Sequence, residues 1–253
     1  MSTGTTTPST GPAFPAADTT SPAAGSGSLA AGTASPAREA AAGPAPERPQ
    51  PVPPGDEWLA LDPTAQDLLF RAARTANTFT DEPVTDEQIA AIHDLVRYGP
   101  TAYNGQPLRV LLLRSAAARA RLLPHLSSTN RAKTAAAPLV AVLAADVDFH
   151  ERLPELFPHR PQARDWLAGD RAQRAAQARL NAALQIGYLI VGVRAAGLAA
   201  GPMAGFDPAG VAGEFFPDGR HEVLVVMNLG RPGPDAWQER LPRLASGEVI
   251  RTL

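Results

Sequence analysis

"YGPTAYNGQP" occupies residues 98–107. It follows a run with helical spacing and precedes "LRVLLLRS" (108–115), a short apolar run that reads as a buried strand. A much shorter polar connector would serve between a helix and a strand. This one carries two glycines, two prolines, an asparagine and a glutamine, and no charge. The helix before it opens at Thr85, where Thr85 and Gln88 fit a capping box and Val84 with Ile89 fits a hydrophobic staple. Ile89, Ile92, Leu95 and Val96 keep the helical period until Gly99-Pro100 stops it. Further upstream, Asp62-Pro63 reads as an N-cap followed by proline at the first helical position, with a helix to about Arg74.

Downstream, "SAAARARLLPHL" (115–126) returns to helix, and "APLVAVLAAD" (137–146) and "HEVLVVMNLG" (221–230) read as buried strands. Between them, residues 171–197 form a long helix, apolar nearly all round from Ala182 onward. Such a helix must be covered on every side, which in a domain this small points to a second subunit. Continuously apolar strands separated by helices imply an α/β or α+β sheet covered on both faces.

Composition narrows the rest. Residues 1–57 are dominated by Ala, Pro, Gly, Ser and Thr, and cannot bury enough apolar surface to offset their ordering entropy. They read as a disordered tail, leaving residues 58–253 as one domain. The tail has no basic start and no apolar core of a signal peptide. The apolar run near 182–200 is interrupted by Gln185 and Arg194, with Asn181 just before it, so it reads as a buried helix and not a membrane span. There is no cysteine, and a net charge of −2 gives no reason to expect nucleic acid or an anionic membrane. A cytoplasmic enzyme or binding protein is expected.

Most catalytic signatures are missing. No Gly-x-Gly-x-x-Gly follows a strand, and there is no P-loop and no Gly-x-Ser-x-Gly. The five histidines (93, 125, 150, 159 and 221) show no metal-binding spacing, so no metal is expected. Asp146 and Asp148 read as solvated turn residues, and Arg109 as a strand residue facing solvent. Three features remain: Arg74 at a helix end, the 98–107 corner, and "GLAAGPMAGFD" (197–207), read as a Gly-rich turn where bare backbone approaches a ligand. Each alone is an ordinary turn or surface charge. Together they could hold a flat heterocycle by amides and a phosphate by arginine.

These residues resemble the FMN-dependent nitroreductase family. The order matches: Arg-x-x-Asn, then Gly-Pro-Thr-x-x-Asn-x-Gln-Pro, then Gly-Pro-Met-x-Gly-Phe-Asp, then Arg-Leu-Pro near the C-terminus. "DFHERLPELFPH" (148–159), "LSSTNRAKTAAAP" (126–138) and "ERLPRL" (239–244) are similar to the malonic semialdehyde reductase branch. The resemblance implies an α+β sandwich, a mostly antiparallel sheet flanked by helices, in a homodimer with FMN at the subunit interface. Arg74 and Arg240 match its phosphate arginines, and Asn77 a polar position near the flavin or ribityl chain. Thr101, Asn104 and Gln106 match the corner at the isoalloxazine edge. Met203, Ala204 and Gly205 match the turn whose N–H groups face flavin N5 and O4. Three positions depart from the pattern: Ala76 stands where many relatives have serine, Ala204 where many have glutamate, and Gln238 where some have lysine.

FMN phosphate is a dianion, and charge-assisted bonds from two arginines could contribute on the order of 1.5–3 kcal/mol each. A donor aimed at N5 and O4 acts where charge develops, and the cofactor supplies the hydride chemistry, so no triad is needed. The resemblance implies NADH or NADPH as donor and a small carbonyl acceptor, malonic semialdehyde, reduced to 3-hydroxypropionate. His159 and Arg164 are the candidates for its carboxylate. A nitroaromatic or quinone reductase on the same scaffold is the alternative, and a non-catalytic flavin-binding protein is another.

Overall fold

The computed structural model describes residues 58–253. The disordered-tail reading falls on residues 1–57 and lies outside the described residues. Helix α1 (Pro63–Gln66) is capped by Asp62, whose carboxylate accepts from Ala65 N at 3.0 Å. The expected helix to Arg74 is shorter: a π-turn over Asp67–Arg71 ends it, and Arg74 lies in extended chain beyond. Helix α2 (Asp86–Val96) opens on the full Thr85–Gln88 capping box, and Val84 and Ile89 meet in one apolar cluster. Strand β1 (Leu108–Leu113) is followed by α3 (Ala116–Leu122), α4 (Ser128–Ala136) and β2 (Leu139–Asp146). Two short helices, α5 (Leu153–Leu156) and α6 (Ala163–Ala168), lead into the long α7 (Arg171–Ala195). Strand β3 (Ala199–Met203), α8 (Pro208–Phe215), β4 (His221–Gly230) and α9 (Ser246–Val249) complete the order.

The strands form one four-stranded antiparallel sheet, ordered β1-β2-β4-β3. Every residue of β2 is buried, which explains its unbroken apolar run. Its side chains alternate between two cores, as strand geometry requires. Val140, Val142 and Ala144 pack with Leu122, Leu126, Val211 and Phe216, on the α3–α4–α8 side. Leu139, Ala141 and Leu143 pack with Ile92, Ile186 and Val193, on the α2–α7 side. The α+β architecture with helices on both faces is the one expected.

The sequence reading of 197–207 as a turn needs correction. Residues 199–203 are the edge strand β3, paired with β4 from Ala199↔Gly230 to Met203↔Val226, and only 204–207 turn. Gly and Pro obscured it, but both fit an edge strand. Gly201 is needed because a Cβ there would lie 2.7 Å from the Ala76 carbonyl oxygen. The chain at 74–80 runs along this outer edge, with Ala76 N donating to Ala200 O at 3.1 Å.

Candidate functional site

At one end of β3 the segments 71–77 and 236–240 grip each other crosswise. Arg74 Nη1 donates to Gln238 O at 3.0 Å. Arg240 Nη2 donates to the carbonyls of Arg71 and, at 3.2 Å, Ala73. Asn77 N donates to Ala236 O at 3.0 Å, and its side chain joins the wall. The result is a cleft of about 330 Å³ lined by Arg74, Thr75, Asn77, Gln238, Arg240 and Arg243, with Glu239 its one acidic lining residue. An adjoining hollow shares Arg74, Thr75 and Arg243 and reaches Arg194, Ala200 and Pro202. Arg194 is buried, and burial followed by the Arg240 charge pushes its pKa down. Among the described residues no carboxylate lies within ion-pair distance of Arg74, Arg194, Arg240 or Arg243. Four guanidiniums thus crowd together without carboxylate partners, which suits an anion. The sequence reading found Arg74 and Arg240 but missed Arg194 and Arg243; "ERLPRL" carried the signal for the latter. Ala76 is buried against Ala199 and Ala236.

At the other end of β3 lies the 204–207 turn. Met203 is buried, while Ala204 and Gly205 are exposed. Phe206 N donates to Ala204 O at 3.0 Å, and Asp207 N to His125 O at 2.8 Å. The N–H groups of Ala204 and Gly205 have no acceptor among the described residues. One short strand therefore carries an anion cleft at its start and two free donors at its end.

The 98–107 corner is elsewhere on the chain: its surrounding hollow, with Arg97, Gly99, Thr101, Asn104 and Gln106, shares no lining residue with the arginine cleft. Three of its residues have left-handed backbone without being glycine: Tyr103 (φ 56°), Asn104 (φ 51°) and Gln106 (φ 44°). Asn104 Nδ2 donates to Leu156 O at 2.9 Å and its Oδ1 accepts from Gln106 Nε2 at 3.0 Å, so the side chain expected at a ligand edge is partly spent on protein contacts. Thr101 Oγ1 accepts from Gln106 N at 3.2 Å. Two α7 amides one turn apart hold the corner's ends: Asn181 Oδ1 accepts from Ala102 N (2.7 Å) and Gln185 Oε1 from Leu108 N (3.0 Å). Of the two substrate candidates, His159 packs on Phe157 with ring centroids 4.0 Å apart and planes tilted by 55°, and Phe157 meets Tyr103 edge-on at 5.6 Å, so His159 is joined to the corner through Phe157. Arg164 is exposed on α6, its charge 3.6 Å from Asp165, with no contact to the corner.

Two expectations are overturned beside the corner. Asp146 is not a solvated turn residue: it is 1% exposed, and Arg109 and Arg220 close on it at 2.7 Å each. Arg109 accordingly points to Asp146 and, through Nη1, to Gln106 O at 3.0 Å, not to solvent. Burial alone would raise the Asp146 pKa, but the Arg220 hydrogen bonds and the Arg109 charge hold it below the usual carboxylate range. Asp148 pairs with the buried Arg174 at 3.0 Å.

Comparison with known proteins gives a family and a fold. The profile described as "Nitroreductase family" fits residues 71–231. A Streptomyces coelicolor protein, provisionally named NADH dehydrogenase/NAD(P)H nitroreductase, is 65% identical over 195 residues, covering 77% of this chain and 99% of its own. In fold, the chain is similar to a provisionally named nitroreductase from Exiguobacterium sibiricum solved in complex with FMN, with TM-score 0.66 and 19% identity over 77% of this chain and 98% of that one. It is also similar to the NADPH:FMN oxidoreductase from Vibrio harveyi complexed with NAD+, with TM-score 0.60 and 21% identity over 75% of this chain and 76% of that one. No helix among the described residues is long and apolar enough to cross a membrane.

Proposed function

The chain belongs to the nitroreductase family, and from that premise we propose that it is an NAD(P)H-dependent oxidoreductase that works through bound FMN. The observation that carries this reading is the layout of β3: guanidiniums held by backbone carbonyls but without a carboxylate partner at its start, and two N–H donors without an acceptor among the described residues at its end. Those groups fit the cofactor from this chain's side. Arg74, Arg240 and Arg243 would hold the phosphate, with Asn77 beside the ribityl chain. The N–H groups of Ala204 and Gly205 would face the polar flavin edge, where Ala204 as alanine offers only its backbone. When bound, FMN supplies the two-electron chemistry between nicotinamide and acceptor.

A second copy of the chain completes the site. On α7, Leu180, Leu184 and Tyr188 recur at four-residue spacing and are 64%, 49% and 47% exposed, an apolar stripe on one helix face. Covering it in a homodimer would bring the partner's corner, with Thr101, Asn104 and Gln106, toward the β3 groups.

The acceptor is a small carbonyl compound bearing a carboxylate, malonic semialdehyde, on the footing of "ERLPELFPH" and of His159 joined to the corner. The exposed, Asp165-paired Arg164 is the weaker partner for that carboxylate. The names of the relatives favour a second reading, a nitroaromatic acceptor. The deciding experiment is aerobic purification, an absorption spectrum, anaerobic titration with NADH and NADPH, then turnover of malonic semialdehyde against nitrofurazone and menadione. A yellow protein bleached by NADH or NADPH and turning over the semialdehyde fastest is expected. Preference for nitrofurazone would replace the carbonyl reading, and a colourless protein without FMN affinity would end both.

A further inference from the structure

The segment 126–138 marks a resemblance in the sequence; in the structure it packs against Met203 at the end of β3 and the 204–207 turn. Ser127 N donates to Gly205 O at 3.0 Å, and Asn130 Nδ2 donates to the same oxygen at 3.1 Å. One turn on, the Thr134 hydroxyl lies 3.9 Å from Met203 Sδ. Asn130 is 8% exposed and Thr134 fully buried, so this is an interior contact. It is also tight: a Cβ on Gly205 would lie 2.8 Å from Asn130 Nδ2 and 2.9 Å from Ser127 Oγ. Of the N–H groups of residues 204–207, those of Phe206 and Asp207 are paired within the protein, and those of Ala204 and Gly205 are not.

We infer that Asn130 is a positioning residue: its amide, with Ser127 N, pins the Gly205 carbonyl and with it the Gly205–Phe206 peptide, whose N–H holds the Ala204 carbonyl, so that the N–H groups of Ala204 and Gly205 are held in one orientation. This rests on the FMN reading above, in which those two donors face the flavin edge. An exposed turn of alanine and glycine would otherwise sample several orientations, and donors that must reorganise stabilise developing charge poorly. The reduced cofactor carries more negative charge on that edge than the oxidised one. Pinning the turn therefore favours the reduced state and raises the potential of the bound cofactor.

The test uses the full chain loaded with FMN. The two-electron midpoint potential of the bound cofactor is measured by dye equilibration for the parent, Asn130→Ala, Asn130→Asp and the exposed control Ser128→Ala, with thermal melts alongside. Asn130→Ala is expected to weaken the preference for reduced over oxidised FMN about tenfold, a midpoint about 30 mV lower for a two-electron couple. Asn130→Asp keeps the volume, removes the donor and should shift the same way, while Ser128→Ala stays at the parent value. Folded, FMN-loaded Asn130 variants with the parent potential would overturn the inference. So would failure of both to fold, which would assign Asn130 to the core alone. A parent that binds no FMN defeats the FMN reading itself and this inference with it, whereas unshifted potentials defeat the inference only.

Discussion

Replacing Asp146 by asparagine tests whether the ionic cluster beside the corner holds the domain together. The carboxylate uses both oxygens fully. Oδ1 accepts from Arg220 Nε (2.7 Å) and Asp148 N (2.9 Å), and Oδ2 from Arg109 Nη2 (2.7 Å) and Arg220 Nη2 (3.0 Å). Asparagine keeps the shape but places an N–H₂ donor against guanidinium donors and leaves two cations without their buried counter-charge. Breaking a buried pair from one side costs about 3–5 kcal/mol. Both arginines are 33% exposed and can recover some hydration, so the low end, about 3 kcal/mol, is expected. For a domain of this size that is a fall in Tm of about 6–12 °C. The pH dependence has a definite sign. Because the folded pKa is depressed, the stabilisation is fully present above the ordinary value of 3.8 and is lost as pH falls through the lower folded value. Urea unfolding from pH 3 to 8 should therefore show a constant deficit for Asp146→Asn above about pH 4 that shrinks below it. A Tm within about 2 °C of the parent, well under the shift expected from the ion-pair cost, would refute the reasoning. So would a deficit that stays constant into strong acid.

Three further outcomes follow from the site. Arg74→Ala, Arg240→Ala and Arg243→Ala should each loosen FMN by roughly 10- to 100-fold, the loss of one charge-assisted contact, in a fluorescence titration. Leu184→Asp places a charge in the exposed stripe of α7 and should shift sedimentation from dimer to monomer, with FMN affinity falling in step. Asn104→Ala removes the bond to Leu156 O and the acceptor for Gln106, and should cost about 1–2 kcal/mol of stability in urea while weakening FMN retention; unfolding with flavin binding spared would make the corner a turn only.

The elements readable from sequence were those whose signal is local. The Thr85–Gln88 box needs only four adjacent residues, and β2 and β4 are apolar runs bounded by turns. Strand β3 was not readable, because its strand character lies in pairing with β4 and in the close approach of Ala76, while its own Gly and Pro signal a turn. Asp146 failed for a different reason: its partner Arg220 is 74 residues away, and nothing near "AAD" announces it. Asn181, Gln185 and Arg194 were legible only as interruptions of an apolar helix. The structure gives each a partner: Ala102 N, Leu108 N and Leu68 O at 2.7, 3.0 and 2.7 Å. A polar residue in an all-round apolar helix was therefore the available signal for a contact to bare backbone, since an unpaired amide there would be costly.

Those contacts also explain why the corner keeps its shape. Left-handed backbone at Tyr103, Asn104 and Gln106 costs of order 1 kcal/mol or more per residue, least at asparagine, and persists only where surroundings over-determine it. Here they do so from three directions. α7 holds Ala102 N and Leu108 N, α5 offers Leu156 O to Asn104, and Arg109, anchored on Asp146, grips the Gln106 carbonyl. The neutral amides of 98–107 thus serve first to brace a strained backbone, and only their remaining hydrogen-bonding positions are open to a ligand. The charge that braces it is anchored on a carboxylate buried at the end of β2, so the corner is held rigid while its own side chains stay neutral.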